Sequence, residues 1–314
     1  MAFAFIFPGQ GSQAVGMGKE LADAFPAAKA VFDEVDAALG EKLSDLIWGG
    51  PIETLTLTAN AQPALMAVSL AVVRALEAGF GVKVSQAAYV AGHSLGEYSA
   101  LAAAGSLSIT DAARLLRKRG EAMQAAVPVG QGAMAALIGK VNLETAEIIA
   151  LEASGSGTVG VANDNNIGNV VISGTKAGVE AAIAVAKAKG VKAISLPVSA
   201  PFHSPLMAPA AVEMEKALAG ANITKPIVPV VANVTARPIS EPADIRRLLV
   251  EQVTGRVRWR ESVQWMAADG GVTKFVETGA GKQLSGMVKR NAPDAETVAL
   301  NTPADLEAFS KSFS

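Results

Sequence analysis

The 314-residue chain contains no cysteine and only two histidines. The first absence excludes thiol catalysis, disulfides and thiolate metal sites. The second leaves too few imidazoles for a histidine-rich zinc site. Charge is sparse as well, at 18% of residues with a formal net charge of −2. So weak a field gives no purchase on nucleic acid, and basic residues cluster only locally, at 114–119, 256–260 and Lys289-Arg290. No apolar run reaches the ~18 uninterrupted residues of a membrane span. The most apolar segment, Ala64 to Phe80, contains Arg74 and Glu77, so a mean hydropathy of +0.33 reads as a large buried core, with no membrane partner expected. The N-terminus, Met1 to Phe7 followed by Pro8-Gly9, has no basic stretch and no small-residue cleavage site; with zero cysteines this points to the cytoplasm. No coiled coil or repeat is evident, so a monomer is expected.

Against that background one run stands out, Ala91-Gly92-His93-Ser94-Leu95-Gly96-Glu97-Tyr98. Its Gly-x-Ser-x-Gly pattern follows an apolar stretch (Ala87 to Ala91) and opens an Ala/Leu-rich helical one (Leu95 to Ala104), the strand-turn-helix setting of a nucleophile elbow. Gly92 and Gly96 leave room for a sharp turn that exposes the serine. A serine hydroxyl needs a base within hydrogen-bond reach. Adjacent side chains of a strand point to opposite faces, which turns His93 away from Ser94. By elimination the base is His203, in the proline-flanked loop Pro201-Phe202-His203-Ser204-Pro205 just past the apolar run Val191 to Val198. A buried structural histidine is the competing reading.

Strand and helix patterns alternate along most of the chain, which predicts an α/β fold around a parallel sheet. Ala2 to Phe7 reads as a buried strand followed by a glycine-rich loop (Gly9 to Gly18). Ala64 to Ala78 and Asp111 to Ala126 read as helices, the latter capped by Thr110 or Asp111. Between Pro128 and Pro197 the order changes to strand (Ala133 to Ile138), helix (Leu143 to Ala153), strands (Thr158 to Ala162 and Asn169 to Ser173), helix (Lys176 to Ala188) and strand (Ala193 to Val198). That βαββαβ order is the ferredoxin-like split unit. We therefore expect a hydrolase-like parallel-sheet domain in two parts, 1–126 and 199–314, around an inserted ferredoxin-like subdomain at 127–198, with the site in the cleft between them.

Other motifs weigh less. Gly9-Gln10-Gly11-Ser12-Gln13-Ala14 satisfies a loose dinucleotide fingerprint, but Asp33 and Glu34 fall in a helical pattern where a second strand and its acidic ribose partner belong. The loop is better suited to bringing backbone donors, Gln10 among them, close to a substrate. Gly279-Ala280-Gly281-Lys282 lacks the spacing and hydroxyl of a phosphate loop. Arg119 lies either on a solvated helix face beside Arg114, Arg117 and Lys118, or in the cleft, where it would bind a carboxylate bidentately.

Taken together the motifs resemble the malonyl-CoA:acyl carrier protein transacylases. The resemblance rests on Phe7-Pro8-Gly9-Gln10-Gly11-Ser12-Gln13, Asn60-Ala61-Gln62-Pro63-Ala64-Leu65, the run from Gly92 to Ala100, Arg117-Lys118-Arg119-Gly120, Pro201-Phe202-His203-Ser204 and Glu277-Thr278-Gly279-Ala280-Gly281. It implies that Ser94 is the acylated nucleophile and His203 its base and then acid. It implies an oxyanion hole from the backbone N–H groups of Gln10 and Leu95, and Arg119 on the malonyl carboxylate. The backbone carbonyl of Gln252 would orient His203 without a triad aspartate. Phe202 resembles the malonyl-type pattern, with Asn163 and Ser199 as candidate lining residues. The implied reaction is ping-pong transfer from malonyl-CoA to acyl carrier protein, without metal or redox cofactor. The alternative is a serine hydrolase or thioesterase of similar fold, with a triad acid such as Asp164; a catalytically silent carrier-binding module is a third. Because acyl carrier proteins are acidic, docking calls for a local basic rim, and Lys289 with Arg290 is the first candidate. The competing reading of that pair is cations favoured at a helix C-terminus.

Overall fold

Phe3, Ala4, Phe5, Ile6 and Phe7 are all buried, as a strand covered on both faces requires. They form β1 (Phe3–Phe7), a central strand of the larger sheet. The structure is a computed structural model that describes residues 2–198 and 200–313. After β1 come α1 (Lys19–Ala24), α2 (Pro26–Leu39), α3 (Leu43–Gly49), α4 (Ile52–Thr56) and α5 (Thr58–Phe80). Next are β2 (Tyr89–Gly92), α6 (Gly96–Ala103) and α7 (Ile109–Ala126). The central part holds β3 (Gly132–Ile138), α8 (Leu143–Ala153), β4 (Val159–Asn166), β5 (Asn169–Thr175), α9 (Lys176–Ala188) and β6 (Lys192–Ser195). The chain ends with α10 (Ala208–Ala219), β7 (Val230–Val231), β8 (Pro238–Ile239), α11 (Pro242–Thr254), α12 (Trp259–Ala268), β9 (Lys274–Thr278), α13 (Gln283–Asn291), β10 (Glu296–Leu300) and α14 (Pro303–Ser310).

The larger sheet has the order β10-β9-β1-β2-β7-β8. All its pairings are parallel except β7 with β8, which is antiparallel. The second sheet, β4-β5-β3-β6, is antiparallel throughout, with α8 and α9 packed on one core of Leu137, Ile149, Ile172 and Val179. This is the α/β architecture with a ferredoxin-like second unit that the patterning predicts.

Some local expectations need correction. The cap of α7 is Ser108, whose hydroxyl accepts the Asp111 N–H at 2.9 Å, whereas the Thr110 hydroxyl is drawn off to Glu34. Strand β6 stops at Ser195, because Leu196 to Val198 leave the sheet to line a cavity. Strand β4 runs on to Asn166 through two register shifts. Helix α5 is long and apolar enough to cross a membrane, yet 72% of its apolar window is buried, packed against α2 and α7 in the main core.

The register places the site. Phe7 pairs with Gly92, so the loop after β1 and the turn after β2 leave the sheet side by side, and His93 N–H donates to Phe7 O at 3.0 Å. A Cβ on Gly92 would stand 1.9 Å from Gly96 carbonyl atoms, and one on Gly96 would stand 2.3 Å from Phe7 O. The two glycines are thus required by contact, since the elbow folds back on itself and against the end of β1.

Candidate active site

Strand β2 delivers Ser94 just past its own C-terminal end in left-handed backbone, φ 53°, a conformation that costs a non-glycine residue about 1–3 kcal/mol and persists only where neighbours impose it. Asn233, after β7, is one such neighbour: its Oδ1 accepts the Ser94 N–H at 2.8 Å and its Nδ2 donates to Gly92 O at 2.7 Å. His203 is likewise left-handed, φ 55°, and brings Nε2 to 2.7 Å from Ser94 Oγ. On the far side of the ring, Nδ1 faces Gln252 O at 3.0 Å and Gly255 O at 3.1 Å. Two carbonyls accept only, so Nδ1 carries the proton and Nε2 is left bare to accept from the serine hydroxyl. Burial, then the nearby Arg119 cation, holds the His203 pKa down at about 3, against the carbonyl contacts, which raise it.

Arg119, on α7, is 1% exposed, which rejects the solvated-face reading. One terminal nitrogen donates to Gln62 Oε1 at 2.7 Å, and the other donates to Gln252 Oε1 at 2.8 Å and to Ser94 Oγ at 3.1 Å. The guanidinium also stands 5.8 Å from the Tyr98 ring centroid. Burial lowers its pKa, an effect opposed by Tyr98 and Glu97. Directly beneath, Glu97 accepts from Asn233 N–H at 3.1 Å and Gln252 Nε2 at 2.7 Å. Burial pushes the Glu97 pKa up to about 7 despite these donors and Arg119.

A cavity of about 580 Å³ opens beside the pair, walled by the Gly9–Gln13 loop, by Asn163, Val171 and Leu196 of the second unit, by Phe202, and by Met287 of α13. Gln10 lines it, its side-chain carbonyl accepting from Thr58 Oγ1 at 3.1 Å. Leu95 occupies the N-cap position of α6, where backbone N–H groups lack intrahelical acceptors. His93 faces the same cavity, its Nε2 2.8 Å from Asn165 Oδ1 and its pKa lowered by burial, against the Asn165 contact. Ser199 lies outside the described residues. Lys289 and Arg290 are exposed in the last turn of α13, the helix whose Gln283, Leu284 and Met287 border the cavity.

Residues 252–258 join the two units. Val257 N–H donates to Ala162 O at 2.8 Å and Asp164 N–H donates to Val257 O at 2.9 Å, while Gln252 O and Gly255 O of the same segment hold His203. Asp164 is gripped by Arg260 through both carboxylate oxygens, at 3.1, 3.0 and 2.7 Å. It makes no hydrogen bond to His203, so the triad acid that a hydrolase would need is absent from that position among the described residues. Nor, among the described residues, does any group of three or more His, Asp or Glu side chains assemble a metal site.

Residues 4–302 match the acyl transferase domain family. The malonyl CoA-acyl carrier protein transacylase of Bacillus subtilis (strain 168) is 49% identical over 306 residues, 97% of this chain and 95% of that protein. Its Escherichia coli counterpart is 45% identical over 307 residues, 98% of each. The chain belongs to this transacylase family. Among solved structures, an acyl-carrier-protein-S-malonyltransferase from Bartonella henselae superposes with a TM-score of 0.97 at 55% identity, covering 99% of both chains. A malonyl-transacylase in complex with a type II PKS acyl-carrier protein superposes at 0.95 with 40% identity, covering 99% of this chain and 100% of that one. The transacylase is therefore an acyltransferase, and its fold is that of these relatives.

The sequence assigns no role to Gln62, Glu97 or Asn233, although the first two lie within the motifs that carry the resemblance. Gln62 and Glu97 are polar residues within otherwise apolar helical runs, and each is 0–1% exposed. A polar side chain on the apolar stripe of a helix is the signal that could have marked them. Asn233 carries no local signal at all.

Proposed function

We propose that this transacylase carries a malonyl group from malonyl-CoA to the phosphopantetheine thiol of an acyl carrier protein, by ping-pong exchange through a malonyl ester on Ser94. The observation that carries the reading is the double contact of Ser94 Oγ, 2.7 Å from a base and 3.1 Å from a buried guanidinium. His203 Nε2 takes the hydroxyl proton as Oγ bonds to the thioester carbonyl carbon, and returns it to sulfur as the C–S bond breaks. The carrier thiol then reverses these steps. Backbone N–H groups of Gln10 and Leu95 stabilise the oxyanion, and Gln252 O orients the base. Arg119 pairs with the malonyl carboxylate, while Phe202 and Asn163 line the acyl and pantetheine path. Exchanging one thioester for another changes no oxidation state, so the chemistry calls on no redox cofactor, and the proton relay leaves no role for a metal.

Lys289 and Arg290 form the rim on which an acidic carrier docks. The division into 1–126 and 199–314 around 127–198 is the working domain scheme, with the enzyme acting as a cytoplasmic monomer. Intact-mass measurement after mixing with malonyl-CoA tests the core of this reading. The wild-type chain gains one persistent malonyl adduct and Ser94→Ala gains none; rapid release of free malonate instead would identify a hydrolase.

A further inference from the structure

Glu97 has no step in the transfer above, yet its carboxyl is buried directly beneath the nucleophile. Its two donors both continue to Ser94. Asn233 holds the Ser94 N–H through Oδ1 at 2.8 Å, and Gln252 Nε2, besides donating to Glu97 at 2.7 Å, donates to Ser94 O at 3.0 Å. The other end of the same Gln252 amide, Oε1, accepts from Arg119 at 2.8 Å.

An amide is chemically two-ended, and here each end has a single compatible surrounding. Flipped, the Gln252 carbonyl oxygen would confront Glu97 Oε2 and Ser94 O, both acceptors, and its NH2 would confront a guanidinium that can only donate. Ser94 O at 3.0 Å and Asn233 Oδ1 at 3.3 Å are the more distant acceptors of that nitrogen and so the weaker determinants of the choice. The Glu97 carboxyl, at 2.7 Å, supplies the nearest one.

We propose that Glu97 is a positioning residue for acyl selectivity: by holding the nitrogen end of the Gln252 amide it turns the oxygen end onto Arg119, and so fixes the guanidinium where it meets the acyl carboxylate beside Ser94. The proposal rests on Arg119 being the carboxylate anchor. It separates from a purely structural role because support of the elbow serves every acyl donor equally, whereas aiming Arg119 serves only donors that bear a carboxylate.

The test is single-turnover acylation of the full chain by malonyl-CoA and by acetyl-CoA, followed by intact mass, for wild type, Arg119→Ala, Glu97→Gln and Glu97→Leu. Glu97→Gln keeps an oxygen at the accepting position, so its malonyl-to-acetyl ratio of kcat/KM stays within about 3-fold of wild type. Glu97→Leu removes the nearest acceptor, and the ratio falls by about 10-fold or more, mainly through KM for malonyl-CoA, as expected when a buried amide donor loses its shortest partner. Arg119→Ala lowers the ratio at least as far. A parallel fall for both donors in Glu97→Leu, or a Glu97→Gln variant as damaged in its ratio as Glu97→Leu, overturns the proposal while leaving Arg119 as anchor. An unchanged ratio in Arg119→Ala overturns the anchor itself and the proposal with it. Should Glu97→Leu fail to fold, as circular dichroism would show, Glu97→Asp carries the same test by withdrawing the acceptor one methylene. An unchanged ratio there counts equally against the proposal.

Discussion

Arg119 donates to Ser94 Oγ at 3.1 Å with the same nitrogen that holds Gln252 Oε1 at 2.8 Å. The residue that would select the acyl group thus touches the atom that would receive it, and its charge lies close enough to His203 to depress the base. On the proposed reading, selection and reactivity would be coupled through one guanidinium.

Acylation should be insensitive to acid over an unusual range. As the proposed base, His203 would act only when neutral, and its pKa is held down at about 3 by burial and Arg119. The rate of Ser94 acylation is therefore expected to stay level from pH 8 to about 5, with no inflection at the ordinary histidine value near 6.5. A stopped-flow pH profile that breaks near 6.5 would show that the base is solvated in action.

Removing the cation should move that profile. In Arg119→Ala, the second contribution to the lowered His203 pKa is gone, so the value rises toward 6.5 and acylation by acetyl-CoA is lost at a higher pH than in wild type. Coincident acid limbs for the two proteins would refute the coupling.

Stability carries its own signature. The Glu97 pKa is raised in the folded state to about 7 from an ordinary 4.5, so the folded chain is destabilised progressively as pH climbs from 4.5 to 7. Both histidines have lowered values, so their contribution runs the other way, full above 6.5 and declining as pH falls below it. Glu97→Gln removes only the first effect. Its melting temperature relative to wild type should increase between pH 5 and pH 8, measured calorimetrically, and a difference independent of pH would mean that Glu97 titrates normally.

The Asp164–Arg260 pair should matter to the fold as much as to the site. Asp164 is 1% exposed and Arg260 21%. Asp164→Asn is expected to lower Tm by about 3 °C, taking about 2 kcal/mol for a partly exposed pair losing its charge on one side. An unchanged Tm would mark the pair as screened.

If the carrier docks at Lys289 and Arg290 as proposed, docking should be separable from acylation. Lys289→Glu combined with Arg290→Glu should raise KM for acyl carrier protein and flatten its salt dependence while malonylation of Ser94 changes little. If both half-reactions and Tm fall together, the pair serves the C-terminus of α13 instead.

Much of this molecule is legible along the chain because the signals are local. Helices α8 and α9 begin and end where the pattern places them, since Asn142 and Thr175 cap them through side-chain contacts three residues away. The elbow was legible because Gly92 and Gly96 announce a contact between neighbours in sequence. The order of the larger sheet was not, because β1 pairs with β9, from the far end of the chain. The polar cluster under Ser94 stayed hidden for the same reason, although the resemblance had named Gln252: Glu97, Asn233 and Gln252 come from α6, a loop after β7 and α11, and only folding brings their hydrogen-bond complementarity together.

The segment 252–258, with one side on the base and the other on the edge of β4, sets a rule for recombination. Grafting the second unit from a relative to change acyl preference would carry β4 but leave behind the residues paired with it, and the recipient's His203 would inherit carbonyls seated against a foreign edge. The transplantable module is discontinuous: β3 to β6 together with the stretch from Gln252 to Arg260. Chimeras cut at the visible boundaries alone would bind well and turn over poorly.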